Sequence, residues 1–354
     1  MSKLSKLRNH MTEMGLDAVV ILDELNQRYL SDFAFTDGLL FITLDKAYMV
    51  TDFRYYEMAL NNACKDFEII TPEGRTAYLE TLIADYAPKR VGFEGLSISY
   101  STYRGYCESF PGVEWVNIND TIEKIRRIKT PEEIEIMQKA QDITDMAFSH
   151  ILKVITPSMT EIEVAAELEY AMRKNGADGF AFETIAVSGD ASALPHGTPR
   201  DVKLKKGFLT MDFGAKYKGY CSDMTRTIVI GKADDEIKKL YNTVLRAQLA
   251  AIDYIRSGCD CGEADKIARD IIDVDYAGLF GHSLGHSVGL FIHEAPGMSK
   301  KGFGNHLEVG NVVTVEPGIY LLGKYGCRIE DMVAVMKDGV YNFTKSTKDL
   351  IEIY

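Results

Sequence analysis

The chain has no paired-cysteine framework, no low-complexity run and no apolar stretch long enough to cross a membrane. Its six cysteines (Cys64, Cys107, Cys221, Cys259, Cys261 and Cys327) are scattered. The one close couple, Cys259 and Cys261, is separated by a single residue, not by the two of a zinc or redox motif. A disulfide-stapled secreted fold is thereby excluded, and free thiols in a reducing compartment are expected. The opening MSKLSKLRNHMTEMGLDAVV carries neither an apolar h-region nor a cleavage site. It reads as an amphipathic helix running into a strand, so a soluble, cytoplasmic protein with no membrane partner is expected. Positive charge is also short, with 40 Lys and Arg against 52 Asp and Glu and a formal net charge of −12. That balance argues against a nucleic-acid partner and suits cation binding.

What is present is ordinary globular composition, 46% hydrophobic and 26% charged, over 354 residues. A chain of that length exceeds one core, and two domains are expected. The first reads as mixed α/β. DAVVIL and RVGFEG are short strands, LLFITLDKAYMVTD is two strands around Asp45-Lys46, and RTAYLETLIADYA has helical periodicity. Near residue 122 the character changes, giving domains at 1–122 and 123–354. A long helix is predicted from Pro131, with Thr130 as N-cap and Glu132 and Glu133 in its first turn. Further helices run from Thr160 to Gly176, over DDEIKKLYNTVLRAQLAAIDYIRSG, and over GEADKIARDIIDV. Between them lie strand pairs, so the second domain is expected to be α+β, with helices covering one face of a largely antiparallel sheet.

Two of these strand pairs carry acids at matched positions. If Tyr217 and Lys218 form the tip of the hairpin in FLTMDFGAKYKGYCSDMTRT, Asp212 sits directly opposite Asp223. In TVEPGIYLLGKYGCRIED, Glu316 and Glu330 are symmetric about Gly323 and face each other in the same way. Solvated surface acids are the ordinary alternative, but the neighbours Met211, Phe213, Val315 and Ile329 place all four in core sheet. Buried like charges at that separation demand a cation. Four carboxylates and an imidazole suit two divalent metals, and manganese, cobalt, iron(II) or zinc would all fit. A bridging water could then become the nucleophile near neutral pH.

Three of the seven histidines fall within GHSLGHSVGLFIHE, at 282, 286 and 293. The four-residue spacing of His282 and His286 would make a zinc pair on a helix, but Gly285 and Gly289 argue against a helix there. His10, His150 and His306 have no motif around them and are expected to be structural.

Together, MDFGAKYKGYCSDMTRT, GHSLGHSVGLFIHEAP, TVEPGIY and GCRIEDMV resemble the dinuclear metallopeptidases of the pita-bread fold. The resemblance is strongest to their proline-specific branch, the Xaa-Pro dipeptidases (prolidases) and Xaa-Pro aminopeptidases (aminopeptidase P). It covers the second domain from RRIKTPEEIEIMQKA onward, and the first domain is similar to the creatinase/prolidase N-terminal domain. The resemblance implies that Asp212 binds one metal, Asp223 and Glu330 bridge both, and His286 and Glu316 bind the other. It also implies a metal-bridging hydroxide as nucleophile and Glu316 as its proton shuttle. His196 would lie near the scissile bond, His293 would polarise the scissile carbonyl or stabilise the gem-diolate, and His282 and Arg328 would face substrate. The expected substrates are small peptides with proline at the second position, and a homodimer is implied. The competing readings are a non-catalytic pita-bread module that binds peptide or protein, and an aminopeptidase of other specificity.

Overall fold

The amphipathic opening folds as helix α1 (Lys3–Met14), which buries Leu4, Leu7 and Met11. The Ser2 hydroxyl accepts the Ser5 N–H at its start, and Gly15 ends it in the left-handed conformation. This computed structural model describes residues 1–71 and 75–354, and the chain divides into two compact units, residues 1–126 and 127–354.

In the first unit the strands are β1 (Ala18–Ile21), β2 (Leu39–Thr43), β3 (Ala47–Val50), β4 (Glu68–Ile70), β5 (Arg90–Phe93) and β6 (Glu114–Asn117). They form one sheet in the order β4-β3-β2-β1-β5-β6. The predicted pair around Asp45-Lys46 is the antiparallel couple β2–β3, with Thr43 Oγ1 accepting the Lys46 N–H at 2.9 Å to close the turn. The other helices are α2 (Glu24–Ser31), α3 (Phe53–Asn62), α4 (Arg75–Tyr86) and α5 (Tyr100–Ser109). Trp115 stacks on Tyr106 with ring centroids 5.1 Å apart and belongs to this unit's core.

After α6 (Thr121–Arg127), the second unit begins its regular structure with α7 (Pro131–Val154). Thr130 and Glu133 close a reciprocal capping box at the start of α7. Thr160 and Glu163 do the same for α8 (Glu161–Lys174). The next strands are β7 (Gly179–Phe180), β8 (Ile185–Ser188), β9 (Gly207–Phe213), β10 (Ala215–Tyr217), β11 (Tyr220–Cys221) and β12 (Met224–Ile230). Helices α9 (Asp235–Tyr254) and α10 (Cys261–Tyr276) follow. The remaining strands are β13 (Gly285–Ser287), β14 (Glu294–Met298), β15 (Val312–Val315), β16 (Gly318–Leu321), β17 (Tyr325–Arg328), β18 (Asp331–Val335), β19 (Val340–Asn342) and β20 (Glu352–Ile353). One sheet runs β20-β12-β9-β8 and another β14-β13-β15-β18-β19. All their pairings are antiparallel except β12–β20.

Each sheet has a pair of helices on one face. Phe148, Ile151, Leu168 and Met172 of α7 and α8 share a core with Leu209, Met211, Phe213 and Met224. Leu240, Val244, Ala264 and Ala268 of α9 and α10 share another with Val313, Val315, Ile329 and Val333. Strand side chains alternate between faces. Because Met211, Phe213, Val315 and Ile329 face helices, Asp212, Glu316 and Glu330 point to the other side.

The second acidic hairpin has the expected register. β16 pairs β17 through Gly318↔Arg328, and β15 pairs β18 through Val315↔Asp331, which brackets Glu316 and Glu330 as opposed neighbours. The first hairpin corrects the expectation. Its tip is Lys218-Gly219, not Tyr217-Lys218, because Tyr217 pairs with Tyr220. Lys218 and Gly219 both have positive φ (48° and 81°), the backbone that a two-residue hairpin turn needs, and glycine supplies it at the second position. Asp212 therefore lies opposite Thr225, and Asp223 is its diagonal neighbour on the same face.

One buried ion pair locks β12 to β18. Arg226 Nη2 lies 2.9 Å from Asp331 Oδ1, both side chains 1% exposed, and Arg226 Nη1 donates to the Glu330 carbonyl. Burial raises the Asp331 carboxyl, but Arg226 and Lys348 more than offset it, leaving the group below its usual 3.8. Its contribution is therefore present at neutral pH and lost only as acid titrates that depressed value. Asp331→Asn strands the Arg226 charge in the interior. It is expected to cost roughly 3–5 kcal/mol at neutral pH, measured by denaturant unfolding; a loss below about 1 kcal/mol would contradict the lock.

Candidate metal centre and active site

The inward faces of these strands meet in a cavity of about 620 Å³. Asp212, Asp223, His286, Glu316 and Glu330 all line it, together with His196, His282, His293 and Arg328. The structure thus brings every candidate residue into one place. Asp212 comes from β9, Asp223 from the link between β11 and β12, and His286 from β13. Glu316 directly follows β15, and Glu330 lies between β17 and β18. His286 stands on a strand, so its four-residue spacing from His282 creates no helical pair.

Asp223, His286 and Glu330 each offer one donor atom within 4.8 Å of the others. His286 Nε2 is 3.5 Å from Asp223 Oδ2 and 3.4 Å from Glu316 Oε1. Its Nδ1 lies 3.1 Å from the Ser287 carbonyl. A proton on Nδ1 makes that hydrogen bond, which leaves the Nε2 lone pair facing the carboxylates, as a ligand histidine requires. Burial and the neighbouring His293 lower the His286 pKa to about 4, so this ring is neutral at physiological pH.

The acids behave in the opposite sense. Burial, then Glu330, Asp212 and Glu316, push Asp223 well above the usual carboxylate range. Burial, Glu316 and Asp212 do the same to Glu330. Glu316 is raised to about 8 by burial, with Arg328 opposing and Asp212 adding to the shift. Asp212 Oδ1 is buried without a hydrogen-bond partner, while its Oδ2 accepts from Arg328 Nη2 at 2.7 Å. An orphaned carboxylate oxygen, crowded acids that resist ionising and an imidazole lone pair aimed at them form a donor set that fits hard divalent cations.

Other polar groups hold the donors in place. Thr225 Oγ1 donates to Glu330 Oε2 at 2.7 Å, and Thr314 Oγ1 donates to Glu316 Oε1 at 3.1 Å. Tyr320 is a site residue that sequence reasoning missed. Its hydroxyl takes Arg328 Nη1 at 2.7 Å and stands 2.9 Å from His282 Nε2. His282 Nδ1 reaches the Ser283 carbonyl at 2.8 Å, so Nε2 is the acceptor and Tyr320 donates to it. Burial and Arg328 lower the His282 pKa to about 4. The signal for Tyr320 was available in the alternation of Glu316, Gly318 and Tyr320 along one strand direction. Among the cysteines near the acids, Cys327 faces the helix side, and burial raises its thiol to about 12.

Residues 135–337 match the Metallopeptidase family M24, and residues 3–128 match the Creatinase/Prolidase N-terminal domain. The chain belongs to metallopeptidase family M24. As an M24 peptidase it has the creatinase-type N-terminal domain and pita-bread catalytic domain expected from its motifs. It is 38% identical over 352 residues to the Xaa-Pro dipeptidase of Pyrococcus furiosus, covering 99% of both chains. Among solved structures it superposes on the Xaa-Pro dipeptidase from Bacillus anthracis with a TM-score of 0.95, at 42% identity and 99% coverage of both chains. It superposes on the X-Pro aminopeptidase from Thermotoga maritima MSB8 with a TM-score of 0.93, at 35% identity and full coverage of both. No helix among the described residues is long and apolar enough to cross a membrane.

If cations neutralise these acids, chelation must uncover their repulsion. Glu316 would then keep, from 4.5 up to about 8, a proton that the unfolded chain has released. Folding stability without metal is therefore expected to fall as pH rises across that window. Melting temperatures with and without chelator should diverge from acid to mildly alkaline pH; curves that stay parallel would contradict this site.

Proposed function

We propose that this M24 peptidase hydrolyses the peptide bond preceding proline in short peptides, with two divalent metals held by Asp212, Asp223, His286, Glu316 and Glu330. The observation that carries the reading is the convergence of these five donors with His196, His282, His293 and Arg328 on one cavity. The names of its relatives, Xaa-Pro dipeptidase and X-Pro aminopeptidase, support the specificity. The intact donor set argues against a module that only binds peptide.

Bound metal would supply Lewis acidity toward the scissile carbonyl and a water acidic enough to attack it near neutral pH. The protein's own groups then have distinct tasks. His293 is exposed to the cavity, and burial and His196 lower its pKa, so it is neutral at physiological pH. A neutral imidazole N–H donates to the oxyanion as it develops. Glu316, held at Oε1 by Thr314, is the proton carrier toward the departing nitrogen. When that nitrogen is proline's it has no N–H, and the residue before it is confined to extended backbone. Recognition must therefore rest on the shape of the ring and the carbonyl. His282, neutral and anchored by Tyr320, and His196 are the groups placed to line that ring.

Assay of Ala-Pro and Ala-Pro-Ala after manganese or cobalt loading tests the reading. Cleavage of Ala-Pro alone identifies a dipeptidase, and release of the first residue from the tripeptide an aminopeptidase. Bound metal with neither peptide cleaved would overturn the proposal. Asp223→Ala is expected to lose metal, read by elemental analysis, together with activity. His293→Ala should keep its metal and lose roughly 100-fold or more in kcat; near-wild-type turnover in either variant contradicts the assignment.

A further inference from the structure

His293 sits at the end of an irregular excursion. Strand β13 ends at Ser287 and β14 begins at Glu294, with the register shifting between His286 and Ser287. Residues 288–293 are thus outside the ladder, and Phe291 is 49% exposed. A histidine that must meet a developing charge cannot be left to such a loop unless something holds it.

The structure supplies a clasp. Lys129 Nζ lies 3.0 Å from Glu294 Oε2, with the two side chains 1% and 9% exposed. The other Glu294 oxygen accepts the Phe291 N–H at 3.2 Å. Gly289 N–H donates to the Phe291 carbonyl, and the Gly289 carbonyl accepts the Cys221 N–H, tying the loop to the strand that leads into Asp223. A Cβ at Gly289 would come within 2.5 Å of Glu294 Oε2, so the carboxylate occupies space that only glycine leaves. Lys129 is itself fixed, its N–H donating to the Gly310 carbonyl just ahead of β15.

A buried ion pair of this kind gives little net stability over well-packed apolar groups, so its presence needs another reason. Its neighbour is His293, whose ring stands over His286 at 4.4 Å between centroids. We infer that the Lys129–Glu294 pair is a positioning device that fixes the His293 loop over the metal-facing histidine. The inference rests on the role given to His293 above.

The test uses the full-length, metal-loaded enzyme with Ala-Pro or Ala-Pro-Ala, whichever the wild type cleaves. Lys129→Met and Glu294→Gln are each expected to lower kcat roughly 10- to 100-fold, with KM within about threefold and metal content unchanged. Lys129→Arg, which keeps the charge, should retain most of kcat. The double variant, free of any unpaired buried charge, should regain thermal stability without regaining kcat. In a His293→Ala background, Glu294→Gln should cause no further loss, because the residue it positions is gone. Recovery of kcat in the double variant, or full additivity with His293→Ala, would show a purely structural pair and overturn the inference. Failure of the wild type to cleave either peptide would instead overturn the proposed function.

Discussion

Like-charge repulsion among Asp212, Asp223, Glu316 and Glu330 is the constraint on which this catalytic domain turns. All four carboxylates point away from the helix-packed cores into one cavity. The only guanidinium or ammonium group among the described residues lining it is Arg328. Burial disfavours that charge, but Tyr320, Asp212, Glu316 and Glu330 keep Arg328 protonated. Beside that one cation, the four carboxylates cannot all ionise at low dielectric without further counter-charge. The strands cannot relieve the strain by moving apart, because Arg226 binds Asp331 and the Glu330 carbonyl and so joins the two sheets behind the acids. A frame that holds like charges together has an interior shaped for counter-charge before any arrives, which is the preorganisation that makes a metal site tight and reactive.

Much of this architecture was legible because it follows from short periods. The capping boxes at Thr130 and Thr160 are local sequence patterns with local consequences. The opposed Glu316 and Glu330 follow from alternation and a turn centred on Gly323, and both flanking ladders keep that register. The Asp212–Asp223 hairpin shows where such reasoning slips. Counting residues could not choose between two adjacent tips, and the choice was decided by the positive φ that Lys218 and Gly219 both adopt. The error moved Asp223 from opposite to diagonal yet left it on the same face, so the chemistry inferred from the pair was insensitive to it.

What sequence did not expose are contacts between elements far apart in the chain. Lys129 and Glu294 are separated by 165 positions, and no periodicity links them. Thr225, which bonds Glu330 across 105 positions, reads in sequence as one more β-prone residue. Tyr320 is intermediate, since its strand phase could be read but its partners His282 and Arg328 could not. Groups that support a site are chosen by three-dimensional proximity, whereas the acids that form it betray themselves by being costly to bury.

The three clustered histidines show how one stretch of backbone divides labour by environment alone. His286 lies in a strand with its Nδ1 committed to the Ser287 carbonyl, so its remaining nitrogen has one direction in which to act. His282 is committed at both nitrogens, to Ser283 and to Tyr320, and presents its ring as a surface. His293 is the most exposed of the three and lies outside the ladder until β14 begins. Burial keeps all three neutral near pH 7, so charge does not distinguish them. What distinguishes them is how each is held: a fixed lone pair, a fixed ring face and a ring whose placement depends on its loop. A donor that is to meet a developing charge works by being in place before that charge appears, so a ring carried on an irregular loop can serve only within the limits a buried anchor sets.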